Sequence, residues 1–240
     1  MNSTIDYDLA NTPDLTARLA ILLEHAVGPV VLTTSFGLED QVLTHAAVEA
    51  MAATGRQVSF ATLDTGRLFA ETHDVWAATE ARYGLRIESL APDATALRHL
   101  VASQGPMGFR ETIDNRKACC ATRKLDPLRG FLEGAGLWIT GLRADQSQSR
   151  TAIAFTMHDP VFGVLKAQPL ADWSRADVAA YADAHNVPRN VLHARGYLSI
   201  GCAPCTRAVA PGEPERAGRW WWENEAHKEC GLHQRQPETV

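Results

Sequence analysis

The segment KACCATRK, residues 117–124, sets Cys119 and Cys120 side by side, and GCAPCTR, residues 201–207, carries Cys202 and Cys205 in a CxxC spacing. Adjacent cysteines are poor disulfide partners, because bridged Cα atoms lie about 4.4–6.8 Å apart and trans-linked neighbours are fixed at about 3.8 Å. The paired sulfurs must address something else. Four thiolates drawn from the two pairs would suit a closed zinc site or a [4Fe–4S] cluster alike. A dithiol redox role for the CxxC leaves the tandem pair unexplained. Arg123 and Lys124 follow Cys119 and Cys120 by four residues, so on a helix each cation shares a face with a thiol and could offset the charge of a thiolate cage. The plainer alternative is a pair of surface cations favoured by the helix dipole.

The fifth cysteine, Cys230 in EAHKECGLH (225–233), is left over once four are assigned. With His227, Lys228 and His233 around it, this thiol is a candidate nucleophile, an incidental exposed cysteine being the bland reading. Upstream, ERAGRWWWE (215–223) puts Arg216 and Arg219 on one helical face beside three tryptophans. They could clamp an anion, or the indoles could simply cover a sheet.

Three polar loops follow apolar, β-branched runs. They are TTSFGLED (33–40) with Ser35 and Gly37, LDTGRL (63–68), and TGLRADQSQSR (140–150) with Arg143 and Arg150. Open parallel sheets bind ligands beyond the carboxyl ends of their strands, and helix N-terminal amides there hold phosphate. Each loop alone reads as a turn; recurring after successive strands, they point to an anionic nucleotide.

Helical periodicity spans 14–27, 37–55, 68–84 and 93–105, with short strand-like runs at 29–36, 57–66 and 85–90 between them. A helical segment then carries the cysteine pair. A strand begins at 137, a hairpin fits 152–170 around an HDP turn, and a helix N-capped by Ser174 fits 174–187. This alternation predicts an α/β fold with a mostly parallel sheet and right-handed crossovers. The last 40 residues lose periodicity. The expected organisation is one α/β domain over 1–240, with a nucleotide-binding core at 1–200 and an irregular C-terminal segment, 201–240, packed on or closing over the sheet.

A net charge of −5 argues against a general nucleic-acid binder or a polybasic membrane protein. No apolar run approaches the roughly 20 residues that span a bilayer. The acidic start, MNSTIDYDLANTPD, lacks the basic-then-apolar order of a signal peptide. A cytoplasmic location is expected, where thiols stay reduced and cysteine clusters suggest metal binding or catalysis.

Taken together, SFGLED, LDTGRL, CC..RK, TGLRADQS, GCAPCTR and KECGLH resemble the assimilatory adenylylsulfate (APS) reductases, the iron–sulfur members of the APS/PAPS reductase family. The resemblance runs from about residue 30 to 235. It implies an adenine-nucleotide α-hydrolase-like (Rossmann-like) fold and the thioredoxin-dependent conversion of APS to sulfite and AMP in sulfate assimilation, on the way to cysteine. It further implies one [4Fe–4S] cluster per chain on Cys119, Cys120, Cys202 and Cys205, and Cys230 as the nucleophile that forms an S-sulfonate. By the same resemblance Ser35 and Gly37 form the nucleotide loop, and Leu63, Thr65 and Gly66 lie near the adenylate. Lys124 would bridge cluster and sulfate, while Arg143, Arg216 and Arg219 would neutralise the phosphosulfate. Phe36–Gly37 stands where related ATP pyrophosphatases have Gly-Gly, which suits a smaller anion than a triphosphate.

The expected partners are APS and reduced thioredoxin or a glutaredoxin-like donor, without nucleic acid or membrane; a homo-oligomer is left open. The competing readings are a PAPS or dual APS/PAPS reductase, an iron–sulfur tRNA-thiolation enzyme, and a zinc-stabilised nucleotide-binding module. PAPS reductases generally lack the cysteine pairs. The thiolation enzymes would show a fuller Gly-rich loop and a basic surface.

Overall fold

The computed structural model describes residues 2–146, 153–224 and 232. Six strands form one sheet: Val30–Thr34 (β1), Val58–Thr62 (β2), Ile87–Ser89 (β3), Leu137–Ile139 (β4), Thr156–His158 (β5) and Leu165–Ala167 (β6). Their order is β3-β2-β1-β4-β6-β5. All neighbours run parallel except β5, which pairs antiparallel with β6 as the expected hairpin. The chain winds outward from β1 through β2 to β3, then returns to start β4 on the other side of β1. Val30 thus sits opposite both Val58 and Leu137. The switch point between β1 and β4 is where such sheets open a crevice at their carboxyl ends.

The sheet is covered on both faces, so β1 reads VVLTT, almost all of it buried, rather than alternating. The larger core joins Leu32, Phe60 and Ile139 to Leu15–His25 (α2), Leu38–Thr54 (α3) and Arg175–Ala184 (α8). The smaller core, on the opposite face, gathers Val31, Ala61, Trp138 and Val164 with Leu128 and Leu132. Ser174 caps α8 as expected, in a reciprocal capping box with Asp177. Asn2–Ala10 (α1) is a helix that the sequence reading does not anticipate. It carries few apolar anchors, Ile5 and Leu9 among them, and is fixed by burying these in the larger core. Ala70–Tyr83 (α4) and Ala94–Gln104 (α5) complete the crossovers.

One helical rod runs from Ile113 to Leu132, opened by a Thr112 cap that accepts from the Asn115 amide. It comprises Ile113–Cys120 (α6), a π-helical turn over Ala121–Leu125, and Asp126–Leu132 (α7). Pro127 explains the widening: it has no N–H for the carbonyl four residues back, and its ring crowds that carbonyl. The rod relaxes to wider hydrogen bonding at the turn that carries Arg123 and Lys124. Both are buried. Among the described residues no helix is long and apolar enough to cross a membrane.

Candidate active site

A cavity of about 200 Å³ opens at the carboxyl ends of β1, β2 and β4. Thr33, Thr34, Ser35 and Gly37 line it after β1, Thr62, Leu63 and Thr65 after β2, and Thr140 and Gly141 after β4. Ser35 is held by Asp40, which accepts from both the Ser35 amide (2.6 Å) and its hydroxyl (2.7 Å). Burial pushes the Asp40 carboxyl up to about 6, with Glu39 adding to the rise and the Ser35 bonds opposing it. The loop turns through Phe36 at φ +58°, a conformation that favours glycine; its ring is buried and stacks on Trp76 at 5.5 Å. Gly141 permits the close approach of the third loop: a Cβ there would lie 2.4 Å from an Asp40 carboxylate oxygen.

The described part of the irregular C-terminal segment supplies another wall. Arg216 and Arg219 line the cavity from a tight turn, not a helix, in which the Arg219 amide donates to the Arg216 carbonyl. The Arg219 guanidinium lies over the Trp220 ring (4.7 Å) and is bonded to the Ile200 carbonyl (3.4 Å). Its seat requires Gly201, where a Cβ would lie 2.3 Å from Nη2. Leu232, two residues after Cys230, also lines the cavity.

Next to this cavity, Cys119, Cys120, Cys202 and Cys205 line one small pocket together with Arg67, Arg116, Arg123 and Lys124. The two cysteine pairs, distant in sequence, are brought together by the LDTGRL loop. Thr65 Oγ1 is 3.2 Å from Cys202 Sγ, the Arg67 carbonyl accepts from the Ala203 amide (2.8 Å), and Arg123 Nη1 donates to the Thr65 carbonyl (2.6 Å). Burial pushes the Cys202 thiol up, but Lys124, the Thr65 hydroxyl, Arg219 and Arg123 outweigh it and leave the thiol below its ordinary range. Cys205 is pushed up to about 12 by burial and by its neighbour Cys202. Four thiols among four cations match the donor chemistry of a thiolate-bound metal centre that carries excess negative charge. Among the described residues, no group of three His, Cys, Asp or Glu side chains stands close enough to hold a single ion.

Lys124, Cys202 and Trp220 belong to both spaces and form the partition between them. Trp220 has φ +41° and is sandwiched between Arg219 and Arg116 (4.8 Å). Arg116 is anchored in turn at 2.7 Å by Glu223, whose side chain is 5% exposed.

Ser35, Gly37, Leu63, Thr65, Lys124, Arg216 and Arg219 thus meet at one cavity, and the four cysteines meet beside it. Two expected contacts are not among its lining residues. Gly66 lies behind the loop, where a Cβ would stand 3.6 Å from Arg123. Arg143 is fully buried and held by Glu39 (2.8 Å), Glu215 (3.0 Å) and Asp145 (3.3 Å). Burial would lower its basicity, but Glu39 and Glu215 overcome that and keep it charged. A cation so neutralised steadies the acidic wall and is not available to an anion. Cys230 and Arg150 lie outside the described residues. The hydroxyl-rich start of TTSFGLED is legible in the sequence, but sequence reasoning missed Thr62, Asp40 and Trp220, although Asp40 and Trp220 stand inside SFGLED and RWWWE.

The phosphoadenosine phosphosulfate reductase domain matches residues 29–208, which include the three loops and both cysteine pairs. The chain is 49% identical over 220 residues to the adenosine 5'-phosphosulfate reductase of Sinorhizobium fredii, covering 92% of this chain and 86% of that protein. It is 47% identical over 226 residues to the adenosine 5'-phosphosulfate reductase of Rhizobium meliloti, covering 94% and 83%. Among solved structures it is similar in fold to a phosphoadenylyl-sulfate reductase from Candida auris, with a TM-score of 0.70 at 22% identity over 86% of this chain and 95% of that one. From these matches and from the loops and thiols they contain, the chain belongs to the phosphoadenosine phosphosulfate reductase domain family and is similar over most of its length to adenosine 5'-phosphosulfate reductases.

Proposed function

We propose that this protein reduces adenosine 5'-phosphosulfate to sulfite and AMP in sulfate assimilation, with two electrons from a dithiol protein such as thioredoxin or a glutaredoxin-like donor. The observation that carries the reading is the shared partition. Lys124 and Cys202 belong at once to the thiol pocket and to the strand-end cavity that Arg216 and Arg219 also line. A cation in that position can act on both spaces.

In this reading Ser35, Gly37, Leu63 and Thr65 receive the adenylate, and Lys124, Arg216 and Arg219 face the phosphosulfate. Thiolate attack on an anionic sulfate meets charge repulsion, which preformed cations relieve at the transition state. The Cys230 thiolate attacks the sulfate sulfur, the S–O bond to the phosphate breaks, and AMP departs with the electron pair, leaving Cys230 S-sulfonate. A donor thiolate then attacks Cys230 Sγ and releases sulfite. The second donor thiol resolves the mixed disulfide, restoring the Cys230 thiol and leaving an oxidised donor. Cys119, Cys120, Cys202 and Cys205 would hold a [4Fe–4S] cluster, which when bound supplies charge and rigidity beside Lys124.

The test is mass spectrometry of protein incubated with APS and no reductant. A single sulfonate adduct on Cys230, absent from Cys230→Ser, is expected; an adduct elsewhere, or sulfite release by the variant, refutes the nucleophile. Anaerobic purification should give a brown protein with about four irons per chain, and a colourless one with about one zinc would refute the cluster.

A further inference from the structure

The smaller core contains a charge that the chemistry above does not use. Lys166 on β6 is 2% exposed and is paired at 3.1 Å with Asp159, itself 1% exposed. In the parallel register Lys166 sits opposite Trp138 on β4, and its ammonium lies 4.3 Å from the centre of that ring. Asp159 is fixed by the hairpin turn: one of its carboxylate oxygens accepts from the Val161 (2.9 Å) and Phe162 (3.1 Å) amides while the other faces Lys166. Removing two charges from water among Trp138, Val164 and Phe162 is expensive, and a well-packed apolar pair of similar volume would hold the strands as well or better.

The ammonium has a further bond. Lys166 Nζ donates to the main-chain carbonyl of Leu232 at 3.5 Å. The Leu232 side chain packs on the same core and lines the cavity. Trp138 also lines the cavity and donates from its indole nitrogen to Thr33 at 2.9 Å. The pair, the indole and the cavity wall form one connected unit, with residue 232 seated on it.

We propose that the buried Lys166–Asp159 pair is an anchor for the C-terminal segment. Lys166 grips the Leu232 carbonyl, the smaller core receives the Leu232 side chain, and the segment is thereby registered against the cavity two residues after Cys230. Lys166 is a positioning residue, and this role rests on the reading of Cys230 as nucleophile. A buried cation suits the task because a carbonyl is recognised whatever side chain it belongs to, and because Asp159 and Trp138 hold the ammonium in place.

The test uses anaerobically purified, cluster-loaded full-length protein. Lys166→Met combined with Asp159→Leu removes the pair without stranding a charge, and Leu232→Ala removes the apolar half of the anchor without touching the sheet. Three quantities are measured: the single-turnover rate of adduct formation on Cys230, the affinity for AMP, and hydrogen exchange of the amides flanking Leu232. In both variants adduct formation should slow about tenfold or more while AMP affinity stays within about twofold, and exchange should quicken in the double variant. Native adduct rate and native exchange in the double variant would overturn the anchor, as would parallel loss of rate and AMP affinity in Leu232→Ala. If the unsubstituted protein forms no adduct on Cys230, the nucleophile reading falls, and the exchange comparison alone decides the anchor.

Discussion

Replacing Gly201 by alanine should disable an anion contact without touching a charged residue. Gly201 does not occupy a left-handed conformation, so alanine suits its backbone, and the gain of about 0.4–1 kcal/mol that this gives through the unfolded state opposes the cost of displacing Arg219. The added methyl, however, would stand 2.3 Å from Arg219 Nη2 and 2.5 Å from Cζ. To regain ordinary contact the guanidinium must retreat by about 1 Å, out of its place over Trp220 and beside the Ile200 carbonyl. Hydrogen bonds to charged groups are worth about 1.5–3 kcal/mol, so losing one set should weaken APS binding by about ten- to a hundredfold. Equilibrium binding of APS, thermal melting and the visible spectrum of the cluster separate the effects. Weaker binding with an unchanged melt and spectrum is expected. Combining Gly201→Ala with Arg219→Ala should add little to either change alone, since both remove one interaction. Native APS affinity in Gly201→Ala, or full additivity in the double variant, would refute the assignment of Arg219 to the anion.

Lys124→Met should lower APS turnover by about 10²-fold, as loss of one preorganised charge at a developing anion does. AMP, which lacks the sulfate, should bind the variant within about twofold of native; equal losses for both would place Lys124 elsewhere. At Phe36, truncation of the buried ring should cost about 3–5 kcal/mol, but glycine escapes the left-handed penalty of about 1–2 kcal/mol that alanine keeps. Phe36→Gly should therefore unfold at a higher denaturant concentration than Phe36→Ala, and the reverse order would deny strain at this turn. Asp40 holds its proton up to about pH 6 in the folded protein against an ordinary 3.8. A raised carboxyl contributes stability that is full below pH 3.8 and is lost as pH rises through 6, on the order of 1–3 kcal/mol. The neutral form also repels an anion less, so from pH 7 to 5.5 AMP affinity should rise several-fold relative to Asp40→Asn, which shares the titration of the AMP phosphate; identical profiles would remove Asp40 from the cavity's electrostatics.

The strands and the place of the cavity are legible in the sequence because both follow from local pattern. Buried parallel strands run apolar on both faces, as VVL does before its two threonines, and a sheet wound outward from β1 in two directions opens its crevice where those strands end. The π-helical turn has its signal in Pro127, which lies far enough along the rod to be mistaken for a break. What spacing does not carry is the stitching between loops. LDTGRL reads as a nucleotide loop, yet Thr65 and Arg67 also tie the CxxC to the rod bearing the other two thiols.

Arg143 marks where spacing stops being informative. A cation at a strand end reads as an anion ligand, and by that criterion Arg143, Arg216 and Arg219 are equals. Packing separates them. Arg219 is buried as Arg143 is, yet it lines the cavity with Arg216, whereas Arg143 does not and is ringed by three carboxylates. Its neutralisers were in view, Glu39 within SFGLED and Glu215 immediately before Arg216. Their engagement has a second effect: burial raises the Glu215 carboxyl, and Glu39 raises it further, so without Arg143 and Arg175 Glu215 would hold its proton still more tightly. Arg143 thus pairs with both Glu39 and Glu215, two carboxyl groups that line the cavity. Arg216 and Arg219 line that cavity together with Lys124.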